Sequence, residues 1–362
     1  MVFKGCLAVI GSPPGAAGVR IWSVNGLVKY LWIDNLLGMI KPDLARKRPT
    51  TAGITAAAAK IAKILPPSPL ISVNLCGKTV WCKAESIQPM GAFKLRGAWH
   101  RLTELTPQER AKGVVAFSSG NHAQGVAWAA LRLGIKAIIV MPSDAPPVKL
   151  DATRVLGAEI ILYDRATESR EEIALTIANE RGAVLVPSFD DPWVIEGQGS
   201  AGIEALAQMR EIAGVAADLV VTCCGGGGLA AGLALALPEA NMVTVEPEGW
   251  DDMARSLAGG FIVPVGVSPP PTSCDALQTY QVSPLTFDVL KSHGASGISV
   301  SEAETFAAMR FAFSTMGLVL EPGGAVALAA VMSGKVVPTD ATLIILSGSN
   351  VDPALFARVL QG

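Results

Sequence analysis

One lysine set among small and apolar neighbours is the first residue of this chain whose surroundings could make it reactive. Lys94 lies in SIQPMGAFKLRGA (86–98), behind Ala92 and Phe93 and just before a helix expected to begin near Leu95. A lone lysine is ordinarily surface decoration. A poorly solvated one has a lowered pKa and becomes a nucleophile toward carbonyls. The segment SSGNHAQ (118–124) follows a predicted strand and opens a predicted helix. Backbone amides at such a turn bind anions such as a carboxylate, although Ser119 or Asn121 there also reads as an ordinary helix cap. Four consecutive glycines, Gly225, Gly226, Gly227 and Gly228, stand between a strand and a helix. They cost conformational entropy and let a backbone wrap a phosphate. No Lys-Ser/Thr follows, so they are not a nucleotide P-loop, and a small cofactor monophosphate fits them better. The hydroxyl of Ser347, in SGSNVD (347–352), sits at the end of the last predicted strand, where α/β proteins bind ligands.

The elements that must position these residues alternate. Residues 55–65 (TAAAAKIAKIL) read as a helix capped by Thr55 and stopped by Pro66, Pro67 and Pro69. Strands are expected at 79–83, 114–117, 136–141, 159–163, 183–186, 218–223, 242–246 and 342–346. Helices are expected at 121–133, 148–156, 168–180, 195–212, 229–237, 302–316 and 323–332. This rhythm predicts an α/β fold with parallel sheets. Residues 1–49 have a different texture, with scattered Gly and Pro and aromatic residues between Trp22 and Trp32. They read as an N-terminal extension, either upstream of a natural start at Met39 or an arm over a dimer surface. As a signal peptide they are poor. The chain ends soon after the last strand, so no appended regulatory domain is expected.

Composition excludes whole classes of function. Half of the 362 residues are hydrophobic and 17% are charged, so the chain can bury a large core. Its 29 basic and 31 acidic residues give a formal charge of −2, without the basic excess of a nucleic-acid or membrane-surface partner. No apolar run is long enough to cross a membrane. The six cysteines include no Cys-x-x-Cys pair, so they read as reduced thiols of a cytoplasmic protein, Cys223 and Cys224 as buried strand thiols. His100 and His293 have no partner pattern.

Taken together, in this order and spacing, the four segments resemble the fold-type II pyridoxal 5′-phosphate enzymes, a tryptophan synthase β-like fold. The likeness is greatest to the branch of serine/threonine dehydratases and serine racemases, and it covers about residues 50–362. The family pattern is S-F-K-x-R-G-A, S-x-G-N-H-x-Q, G-G-G-G and S-G-x-N. Here Ala92 replaces the usual Ser, and Ser349 stands where Gly or Ala is commoner. The resemblance implies two open parallel-sheet domains with the cofactor in the cleft. A small domain would span 116–192, and a large one would combine 50–115 with 193–362. It implies that Lys94 holds the cofactor as a Schiff base, that Phe93 packs beside the ring, and that Asn121 bonds the phenolic oxygen. The amides of Gly225–Gly228 hold the phosphate, Ser347 faces the pyridine nitrogen, and Glu321 lies near the cofactor. Ser118, Asn121 and His122 with their amides grip the substrate carboxylate.

The same resemblance implies a Mg²⁺ or Ca²⁺ ion at Glu246, Asp252 and the carbonyl of Trp250, with two solvated loop acids as the alternative reading of those carboxylates. The expected activity is dehydration and deamination of a β-hydroxy amino acid, L-threonine or L-serine, by a cytoplasmic homodimer insensitive to branched-chain amino acids. The rivals are a serine racemase, a hydroxyaspartate or phenylserine dehydratase, and a non-catalytic protein that binds the cofactor or an amino acid. Ser119, on the opposite carbanion face from Lys94, would serve racemisation as a second acid/base group.

Overall fold

The computed structural model describes residues 47–362, except Ser119 and Pro146 and the side chains of Pro147 and Val148. The extension expected at 1–49 therefore lies outside the described residues up to position 46.

The strands sort into two sheets. The smaller is wholly parallel, in the order β5-β4-β3-β6, with β3 at Val114–Phe117, β4 at Ala137–Pro142, β5 at Glu159–Tyr163 and β6 at Val184–Leu185. The larger has the order β1-β2-β10-β7-β8-β9, with β1 at Leu70–Leu75, β2 at Lys78–Ala84, β7 at Leu219–Cys223, β8 at Asn241–Pro247, β9 at Ser296–Val300 and β10 at Thr342–Leu346. Parallel strands buried on both faces require continuous apolar runs, and TLIIL in β10 is fully buried. A division at residue 116 falls inside β3, whose Val114 and Val115 already pair with Ala137 and Ile138 of the small sheet.

The large sheet departs from an all-parallel expectation at one edge. β1 pairs antiparallel with β2 through a two-residue turn, Cys76-Gly77, in which both residues have positive φ (52° and 75°). That is the geometry of a tight hairpin. Cysteine is an unusual first residue for it, which is why the sequence pattern hides both the turn and β1.

Helix α1 is Thr51–Ile61, one turn earlier than expected. Thr50, not Thr55, caps it, accepting a bond from the Gly53 amide, and the Thr50 amide is itself held by Glu196. Helix α2 (Lys94–Thr103) follows, then α3 (Pro107–Lys112) and α4 (Asn121–Leu133). Next come α5 (Pro147–Val155), α6 (Arg170–Arg181) and the long α7 (Pro192–Ala213), then α8 (Gly228–Ala236), α9 (Asp252–Gly259) and α10 (Pro284–His293). The helix expected at 302–316 is α-helical only over Glu302–Phe311 (α11). It passes into a π-turn at Ala312–Met316 and stops at Gly317. Helix α12 (Pro322–Met332) is buried on every side up to Val331, and α13 (Pro353–Gln361) closes the described chain.

No helix among the described residues is long and apolar enough to cross a membrane.

Candidate active site

Lys94 begins α2, and Phe93 before it donates its amide to the Ser347 carbonyl at 3.1 Å. Ala92 forms a single bridge with Gly348. The lysine is thus tied to the end of β10 on its N-terminal side. On its C-terminal side the tie is ionic. Arg96, fully buried two residues on, bonds both Glu85 oxygens at 2.7 Å and reaches Glu204 at 3.0–3.1 Å. Burial works against each of these charges, and their mutual attraction outweighs it: the Glu85 carboxyl is held below its usual range and the Arg96 guanidinium above its own. The Lys94 amine donates to the Ser188 carbonyl at 2.8 Å and stands 5.2 Å from the Phe93 ring centroid. Burial lowers its pKa to about 8, a shift that Cys223 and Glu321 oppose only in their ionised forms. An amine in that range is a nucleophile and a base near neutral pH.

Facing Lys94, the turn after β3 opens α4 with Asn121. Its Nδ2 donates to Glu321 Oε1 at 2.6 Å, and its Oδ1 accepts from Asn350 Nδ2 at 2.7 Å. Glu321 caps the start of α12, and its amide donates to the Gly348 carbonyl at 3.0 Å. Burial raises the Glu321 carboxyl to about 7, and the nearby Asp275 charge adds to the rise. His122 Nε2 lies 2.8 Å from the Val186 carbonyl, so that nitrogen carries the ring proton. Burial, and then the Lys94 cation, push the imidazole down to about 3, which keeps it neutral. The Ser118 amide is already donated to Val140 O at 3.2 Å, leaving its hydroxyl, which accepts from the Gly120 amide, to meet a ligand. Ser119 lies outside the described residues.

The glycine loop joins β7 to α8 and needs its lack of side chains. A Cβ on Gly226 would lie 2.2 Å from the Phe189 ring, and Gly227 has φ +87° with a would-be Cβ 2.8 Å from Met253. Thr286 Oγ1 donates to the Gly226 carbonyl at 2.8 Å and fixes the loop. Among the described residues no protein acceptor takes the amides of Gly225, Gly226, Gly227 or Gly228. Bare donors in a glycine cradle beside a helix N-terminus suit a phosphate. With the desolvated lysine, they are the donor set that pyridoxal phosphate requires.

Ser347 is buried at the end of β10, where Cys223 Sγ lies 3.2 Å from its hydroxyl. Sequence reasoning had Cys223 as a strand thiol with no role. It ends β7 as expected, but it touches a site residue, while Cys224 lies just beyond the strand. Asn350, Ser188 and Phe189 were also missed. The first was visible in the S-G-x-N motif, and the others only as a polar-aromatic turn, SFDD, ahead of a proline-started helix. The two histidines read as partnerless do have partners. His100 Nε2 is 3.4 Å from Glu196, and His293 Nε2 is 2.9 Å from the Ala240 carbonyl.

Glu246 and Asp252 stand at the end of β8 and the start of α9, and both are buried rather than solvated. Glu246 accepts the Met253 and Ala254 amides at 3.0 and 2.8 Å, and Asp252 Oδ2 accepts the Val282 amide at 2.7 Å. Asp252 Oδ1 is buried without a partner. Burial raises both carboxyls, Asp252 to about 7, and for Glu246 the Asp252 charge adds to it. Trp250, between them, donates its indole N–H to the Pro270 carbonyl at 2.8 Å. No group of three His, Cys, Asp or Glu side chains clusters as a metal site among the described residues.

The chain is similar to known proteins. Residues 62–348 match the family model described as pyridoxal-phosphate dependent enzyme. An L-threo-3-hydroxyaspartate ammonia-lyase of Pseudomonas sp is 42% identical over 79% of this chain and 89% of its own length. The serine racemase of Schizosaccharomyces pombe is 36% identical over 86% of this chain and 98% of its own. The crystal structure of a T.th. threonine deaminase superposes with a TM-score of 0.78 at 40% identity, covering 84% of this chain and 99% of that one. With residues 62–348 matched to that family model, the chain belongs to the pyridoxal-phosphate dependent enzyme family.

Proposed function

We propose that this protein dehydrates and deaminates a β-hydroxy amino acid, L-threonine or L-serine foremost, to a 2-oxo acid and ammonia. The observation that carries the reading is the Lys94 amine, desolvated to a pKa of about 8 and flanked by the glycine cradle and the Asn121–Glu321–Asn350 network. When bound, pyridoxal phosphate supplies an electron sink for the α-carbon of an amino acid attached through its nitrogen. Lys94 Nζ would hold the cofactor, and its amine, with a pKa of about 8, would be the base for the substrate α-proton. The amides of Gly225–Gly228 hold the phosphate, and Asn121 and Glu321 orient the ring. The open amides at the start of α4, with the Ser118 hydroxyl, hold the substrate carboxylate, and neutral His122 supports that turn from behind. Ser347, a neutral hydroxyl at the ring nitrogen, does not enforce its protonation. That suits elimination, in which the departing β-hydroxyl carries away the electrons, better than transamination.

The reading extends to a divalent cation at Glu246, Asp252 and the Trp250 carbonyl. It is supported by the unpartnered Asp252 Oδ1 and by two buried carboxyls whose repulsion a cation would relieve. It also includes two lobes that divide with the sheets, near residue 114, and a cytoplasmic homodimer. The five described cysteines, none of them paired, support the compartment.

A hydroxyaspartate substrate is the second reading, favoured by the 42% identical ammonia-lyase. Racemisation is a side activity in which Ser119 takes part. A panel of L-threonine, L-serine, L-threo-3-hydroxyaspartate and phenylserine, with release of 2-oxo acid and D-serine both measured, tests all of these. Absence of 2-oxo acid from every member overturns the reading.

A further inference from the structure

The hydroxyl of Ser347 can direct its single proton in only one direction, and the structure shows what lies on the other side of its oxygen. Ser347 follows β10, and Cys223 ends the neighbouring β7. The thiol and the hydroxyl lie 3.2 Å apart, both in buried residues. Sulfur is a weak acceptor and a hydroxyl oxygen a good one, so the bond runs from the thiol to Ser347 Oγ. Burial supports that sense, because it raises the Cys223 pKa and keeps the donor proton in place. One lone pair of Ser347 Oγ is then engaged from the β7 side. Its own O–H is left to point away from the Cys223 sulfur, free to donate to a third group.

We propose that Cys223 is a positioning residue that presets the Ser347 hydroxyl as a hydrogen-bond donor to the ring nitrogen of pyridoxal phosphate. The proposal rests on the reading that Ser347 faces that nitrogen. Without the thiol, the hydroxyl samples three staggered rotamers in place of one. The donor-ready fraction falls to about a third, and the apparent affinity falls with it. A hydroxyl in place of the thiol can either donate or accept, so its cost is at most about twofold.

The test is the dissociation constant of pyridoxal phosphate from cofactor-free protein, together with the visible absorption of the bound cofactor. It compares wild type, Cys223→Ala, Cys223→Ser, Ser347→Ala and Cys223→Ala/Ser347→Ala. Ser347→Ala is expected to weaken binding by about five- to tenfold and to shift the band. Cys223→Ala should weaken binding about threefold, Cys223→Ser at most about twofold, and the double variant no more than Ser347→Ala alone. A Cys223→Ala effect that persists undiminished beside Ser347→Ala, or that is absent while Ser347→Ala weakens binding, overturns the proposal. If Ser347→Ala changes neither affinity nor spectrum, the placement of Ser347 at the ring nitrogen fails instead. Thermal melts of the cofactor-free variants identify any that fail to fold. Cys223→Val, which fills similar space without a donor, then takes the place of the Ala variant and is held to the same threefold loss.

Discussion

Asn121 Nδ2 donates a 2.6 Å hydrogen bond to Glu321 Oε1, tying the first helix after β3 of the small sheet to the cap of α12 beside the large one. The bond links residues 200 positions apart, and the acid in it is nearly fully buried. Burial alone would make Glu321 a poor anion, and the Asn121 donor only partly compensates, which leaves a carboxyl that titrates near neutrality.

Stability of the cofactor-free protein should carry that titration. Below about pH 4.5 the Glu321 carboxyl is protonated in the folded and the unfolded chain alike. Between its ordinary 4.5 and its folded value of about 7 the folded chain holds the extra proton, so stability falls as pH rises. The loss amounts to about 3 kcal/mol. In Glu321→Gln, urea denaturation between pH 4.5 and 8 should lose about that much less than wild type. Equal losses in both proteins would show that Glu321 is not the group responsible.

Lys94 should trade stability for function. Its folded pKa of about 8 lies below the ordinary 10.5, so the folded chain binds fewer protons between those values. The penalty is complete below pH 8 and fades as pH rises to 10.5. Lys94→Met should therefore stabilise the cofactor-free protein at pH 7 by up to about 3 kcal/mol. Turnover should fall by about a thousandfold or more. Borohydride reduction of the wild-type holoenzyme followed by peptide mass mapping should place the pyridoxyl group on Lys94. Its appearance elsewhere, or an active Lys94→Met protein, contradicts the assignment.

The cradle should not tolerate a methyl group. In Gly226→Ala the new Cβ lies 2.2 Å from the Phe189 ring, so either the ring or the loop must move. Pyridoxal phosphate affinity is expected to drop at least about tenfold, roughly the loss of one or two amide–phosphate bonds. Phe189→Ala in the same chain should recover part of it by giving the methyl space. Normal affinity in Gly226→Ala would mean that the loop does not carry the phosphate.

Chelation addresses the acidic pair. If Glu246 and Asp252 bind a divalent cation, a chelator should lower the melting temperature by several degrees and Mg²⁺ should restore it, since a ligand of the folded state stabilises it. Asp252→Asn should be insensitive to both additions. A wild-type melt that does not move in metal-free buffer returns the two residues to a carboxyl pair sharing a proton, buried at the head of α9.

The sequence by itself determined the α/β class and the short runs from which the site is proposed. Strands such as Val114–Phe117, Glu159–Tyr163 and Thr342–Leu346 and helix Asn121–Leu133 are where the local pattern puts them, because strand burial and helix capping are local demands. Lys94, Asn121, the four glycines and Ser347 stand out as candidates because each occupies a short run whose composition makes little sense as packing alone. Helix α1 was misplaced by one turn for a non-local reason: Glu196, 146 residues away, anchors Thr50 and makes it the cap. What only the tertiary structure decided is which groups desolvate and face one another. Lys94 is desolvated by burial at the start of α2, a helix tied through Arg96 to Glu85 and Glu204. The Ser188 carbonyl meets its amine, and Cys223 comes to lie on Ser347, because β7 and β10 are neighbours in space while 124 residues separate the two side chains. Burial and pairing of this kind depend on strand order, which no local run of residues encodes.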